Sequence, residues 1–228
     1  MQRRHPHRTI ITARRALLLL VALSVYVARD APARAAAPPH SSAEAAFSLV
    51  PRSLRVASWA RALEPIEVRS MNTRIAGRVR LYDATGELDD DARATFERIA
   101  SREPEPHRLA TRVEQLIVKA AYHFGAERVL IVSGWRANAG KHGTGDAVDF
   151  KLQGVRARDV AAYLRGLPRV GVGLYTHPAT QFVHLDVREP SYHWLDSSAP
   201  GAHGREVQLG DPRGEKRDAA YTPDMDLP

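Results

Sequence analysis

Two short segments carry residue types able to do metal chemistry: Lys141-His142-Gly143-Thr144-Gly145-Asp146-Ala147-Val148-Asp149-Phe150 and, further along, Phe182-Val183-His184-Leu185-Asp186-Val187. In the first, Val148, Phe150 and Leu152 alternate with Ala147, Asp149 and Lys151, so a strand here buries one face and projects Asp149 from the other. The second repeats the device: Val183, Leu185 and Val187 on one face, His184 and Asp186 on the opposite one. His142 reaches the same place only if Gly143-Thr144-Gly145 folds back beside Asp149, which glycine permits. Two imidazoles and one carboxylate leave a fourth position on a zinc ion for water, as a catalytic site requires and a closed structural site lacks. The chain has no cysteine, which excludes disulfides and thiolate ligands and leaves histidine and carboxylate to hold any metal. Spacing alone also fits plainer readings: a loop histidine, a solvated carboxylate and a histidine satisfied by backbone.

The elements that must position these residues follow from periodicity. Residues 66–70 and 78–82 alternate as strands, with Gly77 as the turn of a hairpin. Leu88, Ala92, Phe96 and Ile99 recur at helical spacing, and Asp89, Asp90 and Asp91 place negative charge where the helix dipole favours it. After Pro104 and Pro106, Leu109, Val113, Leu116, Ile117 and Ala120 mark a second amphipathic helix ending at Gly125. Residues 128–132 read as a buried strand, 146–152 as an alternating one, 156–165 as a helix, and 170–175 and 181–187 as two further strands. Helices and strands mix without regular alternation, so the expected fold class is α+β: a small antiparallel sheet with packed helices. Beyond Trp194 periodicity vanishes, and 197–228 reads as a poorly ordered tail.

The N-terminus has the form of a targeting segment: arginines ending in Arg14-Arg15, an apolar run, and small residues around Ala33-Arg34-Ala35. The run is shorter than the roughly 20 residues that span a bilayer. Residues 1–35 are therefore expected to be a signal peptide, and an uncleaved anchor is the alternative. The paired arginines suit the twin-arginine route, and the mature chain is expected outside the cytoplasm, periplasmic or extracellular, touching membrane only through this signal. Residues 36–64 read as a linker rich in Ala, Pro and Ser, and 65–196 as the working domain. Of 33 basic and 26 acidic residues, seven and one lie within 1–36, leaving 26 and 25 in the remainder. The mature chain is thus nearly neutral, and without a basic stripe interleaved with aromatics no nucleic-acid partner is expected.

Ser133-Gly134-Trp135-Arg136, the spacing of His142 and Asp149, Gly171-Val172-Gly173-Leu174-Tyr175, and Phe182-Val183-His184-Leu185-Asp186 leading to Trp194 occur in one order. Together they resemble the murein endopeptidase K branch of the D-Ala-D-Ala metallopeptidase superfamily, which also includes D,D-carboxypeptidases, D-Ala-D-Ala dipeptidases and the hedgehog signalling domain. The likeness runs from about Arg78 to Trp194. It implies a hedgehog/D-Ala-D-Ala-peptidase-like fold, Zn2+ held by His142, Asp149 and His184, and Arg136 at the substrate cleft. It further implies hydrolysis of D-amino-acid cross-links in peptidoglycan, with stem peptides as the partner.

Related branches place a glutamate three residues before the last histidine ligand; here that position is Gln181, which accepts no proton at neutral pH. Asp186, on the ligand face, is the candidate for proton acceptor or for orienter of His184. Arg136 can clasp a substrate carboxylate bidentately or form a structural salt bridge, and Ser133 can bond the loop backbone or touch substrate. Trp194 suits a cleft wall or the core. His123, His177 and His193 have no partner at ligand spacing and read as incidental. Only five residues separate Arg136 from His142, fewer than the family usually has, and Lys141 replaces a common serine. Two alternatives therefore stand beside the endopeptidase: a zinc-stabilised peptidoglycan-binding module without catalysis, and a D,D-carboxypeptidase.

Overall fold

The computed structural model describes residues 58–103, 107–202 and 204–228. The expected signal segment and most of the expected linker lie outside the described residues. The linker's last residues do not: Ser58–Arg61 form a short helix, α1, with Ala60 fully buried and Trp59 edge-on to Tyr82 at 5.1 Å. The folded part therefore starts before residue 65, because Ala60 and Trp59 supply apolar surface to the core.

Strand β1 (Ile66–Ser70) pairs antiparallel with β2 (Ala76–Val79), and Gly77 stands opposite Val68. Gly77 is a strand residue, not the expected turn; the chain reverses through 71–75, where Arg74 takes a left-handed conformation at φ 63°. A Cβ at Gly77 would lie 3.0 Å from a Thr95 methyl, so glycine here admits a close helix. That helix is α2 (Asp90–Ala100), whose N-cap Asp89 accepts the Ala92 N–H at 2.8 Å, with Asp90 and Asp91 in its first turn. Helix α3 (Thr111–His123) buries Val113, Leu116, Ile117 and Ala120. Together α2 and α3 form the crossover that lets β3 (Arg128–Ser133) return parallel to β1.

The chain continues through β4 (Ala147–Leu152), α4 (Ala157–Leu164), β5 (Val170–Tyr175), β6 (Val183–Val187) and β7 (Tyr192–Asp196). The α+β class holds, but the sheet is neither small nor purely antiparallel. Among the described residues it has eight strands, the last being β8 (Glu206–Leu209), in the order β2-β1-β3-β4-β6-β5-β7-β8, with β1–β3 and β5–β7 parallel. Val148, Phe150, Val183, Leu185, Val170 and Val172 face the helices and form the core with Phe96, Ile99 and Leu116. Each such side chain stabilises the fold by about 1.5–3 kcal/mol.

The stretch expected to be a poorly ordered tail carries β8 (Glu206–Leu209), paired antiparallel with β7, then α5 (Gly214–Ala219) and a 3-10 turn, Pro223–Asp226. Its order comes from polar anchors, which leave no hydrophobic period to read. Asp218 accepts the Arg169 N–H at 2.7 Å and both the N–H and hydroxyl of Ser191 at 2.6 and 2.7 Å. Arg112 bonds Asp226 at 2.9 Å, and Lys119 bonds the Leu227 carbonyl.

Candidate metal centre

Residues directly opposite one another in a sheet present their side chains on the same face. Asp149 stands opposite His184, and His184 opposite Gly173, which stands opposite Trp194; one step along, Ala147 and Gly171 flank Asp186. The register thus sets Asp149, His184, Asp186 and Trp194 together on the face away from the core. That face is covered: Asp149 is 7% and His184 8% exposed, and Asp186 is fully buried. The glycines of β5 make this possible. A Cβ at Gly173 would overlap the Trp194 indole, and one at Gly171 would overlap the Asp186 carboxylate. The indole lies tilted 5.1 Å from the His184 ring.

His142 arrives on the loop between β3 and β4, in a 3-10 turn, Gly140–His142. Gly145 takes φ 78°, and a Cβ there would strike the Arg108 carbonyl, so this reversal needs glycine. The loop is held at several points. Trp135 donates its indole N–H to the Gly143 carbonyl at 3.0 Å, Lys141 bonds the Val187 carbonyl at 3.0 Å, and the Asp146 N–H bonds the Lys141 carbonyl at 2.8 Å. Lys141 therefore fastens the loop to the end of β6. His107 stacks on Trp135 at 3.4 Å between centroids.

His142, Asp149 and His184 each offer one ligand atom within 4.8 Å of the others, and this buried group can hold a metal ion. Asp149 Oδ1 lies 2.8 Å from His184 Nδ1 and 3.4 Å from His142 Nε2. The far nitrogen of each ring meets an acceptor. His142 Nδ1 donates to the Gly134 carbonyl at 2.8 Å, and His184 Nε2 lies 3.1 Å from Asp186 Oδ2. Such partners fix ring orientation and tautomer and leave the inner nitrogen's lone pair for a cation. Asp186 in turn takes two bonds from Arg188, at 2.6 and 2.5 Å.

The electrostatics attract positive charge. Burial opposes a charged His184, but hydrogen bonds to Asp149 and Asp186 outweigh it and push its pKa up to about 9. Burial likewise opposes charge on Asp149, yet His142 and His184 hold its carboxyl well below the usual range. Asp186, against burial, is lowered by His184 and Arg188. A divalent cation among these groups would take the place of the proton on His184.

The other expected site residues lie close by. Ser133 pairs with Asp149 across β3–β4 and is buried, its hydroxyl without a hydrogen-bond partner among the described residues. Arg136 Nη2 is 3.9 Å from Asp149 Oδ2, while its Nε is buried without a partner among the described residues. At that distance the ion pair is loose. Asp186 has both oxygens engaged and no exposure, the setting of an orienting carboxylate. Gln181 lies in the turn before β6 at φ 40°.

The three incidental histidines stand outside the cluster, each with a local partner. His123 stacks on Tyr163 at 3.9 Å, His177 Nδ1 accepts the Ala179 N–H, and His193 Nε2 lies 3.1 Å from Asp211. Sequence reasoning missed Tyr175 as a neighbour of the site: burial raises its phenol pKa and the Asp149 charge adds to that. Its position two residues beyond Gly173, on the same strand face, was the available signal. Comparison with protein families, curated proteins and solved structures finds no match for this chain.

Proposed function

We propose that this protein is an exported zinc-dependent hydrolase that cuts peptide cross-links containing D-amino acids in bacterial peptidoglycan. The observation that carries the reading is the convergence of two imidazoles and one carboxylate within 4.8 Å, each ring backed by an acceptor. Three donors of this kind match a catalytic zinc site with one position left for water. The motifs from Ser133 to Trp194 support the substrate class, and a hedgehog/D-Ala-D-Ala-peptidase-like arrangement of the sheet belongs to the same reading.

Zinc held by His142, Asp149 and His184 would supply Lewis acidity, able to polarise a scissile carbonyl and to lower the pKa of water toward about 7. The chain's own residues do the rest. Asp186, clamped by Arg188, holds the His184 ring with its Nδ1 toward the centre. Arg136, half-exposed beside Asp149, offers its guanidinium to a substrate carboxylate, and the unpartnered Ser133 hydroxyl offers one more hydrogen bond. The test is digestion of purified sacculi by the mature protein, with products identified by mass. Cross-linked muropeptides should be released, and release should stop with chelator and with His184→Ala. Activity undiminished by both removes the proposal.

A second reading is favoured by two observations: Asp186, the carboxylate behind His184, has both oxygens engaged, and Gln181 occupies the approach to β6. A zinc-stabilised peptidoglycan-binding module would bind zinc and muropeptides with no turnover at any pH. Release of single D-alanine in place of dimer cleavage would mark a D,D-carboxypeptidase.

A further inference from the structure

A groove of about 710 Å³ opens where β4 runs out into residues 153–158 and the β5–β6 connection turns back. Its walls include Lys151, Arg156, Arg158, Gln153, Gln181 and Tyr175, and among the described residues no acidic side chain lines it. Arg156 and Arg158 share the single carboxylate of Asp159, at 2.6 and 3.8 Å, which leaves the wall with net positive charge. Among the described residues the Lys151 side chain has no ion-pair or hydrogen-bond partner, its backbone being paired with β3 opposite Leu130. Gln153 accepts a bond from Arg128 at its Oε1, so its amide N–H groups are free to face the groove.

The groove lies along the sheet from the metal centre: Tyr175 on its wall is two residues beyond Gly173, which stands opposite His184. Lys151 follows Asp149 by two residues on the same face of β4, a rise of about 7 Å. Tyr175 lines the groove and feels the charge of Asp149 from the other side. A peptide with a bond at His142, Asp149 and His184 and running along this face therefore brings its next residue to Lys151.

We infer that this groove is a subsite for a carboxylate of the ligand, one or two residues from the bond held at the metal centre, with Lys151 as its main counter-charge. The inference rests on the hydrolase or binding reading of that centre and adds the chemistry that selects the ligand. Among the described residues no carboxylate takes the charge of Lys151, and the amides of Gln153 and Gln181 supply neutral donors around the same space. An anion is favoured there; a cationic or capped end is not.

The probes are N-acetyl-L-lysyl-D-alanyl-D-alanine and its C-terminal amide, titrated calorimetrically into the zinc-loaded full chain. The acid should bind on the order of tenfold more tightly than the amide, as a charge-assisted hydrogen bond supplies. Lys151→Gln should erase that preference while zinc affinity and Tm stay unchanged, and Lys151→Arg should retain it. Equal binding of acid and amide by the native chain, or an acid preference that survives Lys151→Gln, overturns the subsite. Failure of the hydrolase proposal is separately visible: the Lys151-dependent preference would persist while sacculi and peptide remain uncut.

Discussion

Replacing Asp186 with asparagine isolates what a fully buried carboxylate does behind a metal ligand. Asp186 Oδ2 faces His184 Nε2 at 3.1 Å, and the same carboxylate takes Arg188 at 2.6 and 2.5 Å. Asparagine preserves the volume and removes the charge. Its single oxygen can serve Arg188 or His184 as acceptor, and its amide N–H then faces the other donor. Losing such an orienting acceptor typically weakens metal binding 10- to 100-fold, about 1.4–2.7 kcal/mol. Arg188 would also lose its counter-charge, at about 1–3 kcal/mol of stability, moderated because its side chain is 27% exposed. The assay is competitive zinc titration against a chromophoric chelator, paired with thermal melts of zinc-free and zinc-saturated protein. Asp186→Asn should bind zinc at least tenfold more weakly and, once saturated, turn over within a few-fold of the native protein. Unchanged zinc affinity with turnover reduced by orders of magnitude would refute the orienting role and make Asp186 the proton acceptor.

Glu114 is fully buried with one oxygen on Arg93 at 2.7 Å, and burial pushes its pKa from 4.5 up to about 7. The folded state thus keeps a proton that the unfolded state releases. Stability should fall as pH rises from 4.5 to 7, by about 3 kcal/mol relative to Glu114→Gln in urea titrations; a difference independent of pH would refute this. Gly173→Ala places a Cβ within the Trp194 indole, so it should cost about 1–3 kcal/mol by thermal melting, and an unaltered Tm would mean that Trp194 does not pack on β5. Asp218→Ala leaves the Arg169 and Ser191 donors without their acceptor. It should cost about 3 kcal/mol and raise amide exchange across 206–228, whereas unchanged exchange would show the C-terminal segment to be held otherwise.

The sequence by itself determined the elements wherever hydrophobic periodicity runs uninterrupted. The strand at 170–175, the helix capped by Asp89 and the alternation of Val148, Phe150 and Leu152 were all legible, because a side chain's face follows directly from its position in a helix or strand. It also narrowed the candidate ligands to histidine and carboxylate, since cysteine is absent, and it set His142, Asp149 and His184 on alternating or glycine-hinged segments, while spacing alone left plainer readings of all three open. Tertiary structure alone decided the rest. Opposing Asp149 to His184 depends on the register between β4 and β6, and the parallel pairs depend on crossovers, neither of which is encoded in one segment's period. Gly77, Gly171 and Gly173 serve to admit a neighbouring helix, carboxylate or indole, and the C-terminal segment is ordered by single carboxylates such as Asp218. Such contacts join residues far apart in the chain, and a lone polar group leaves no periodic trace from which its distant partner could be read.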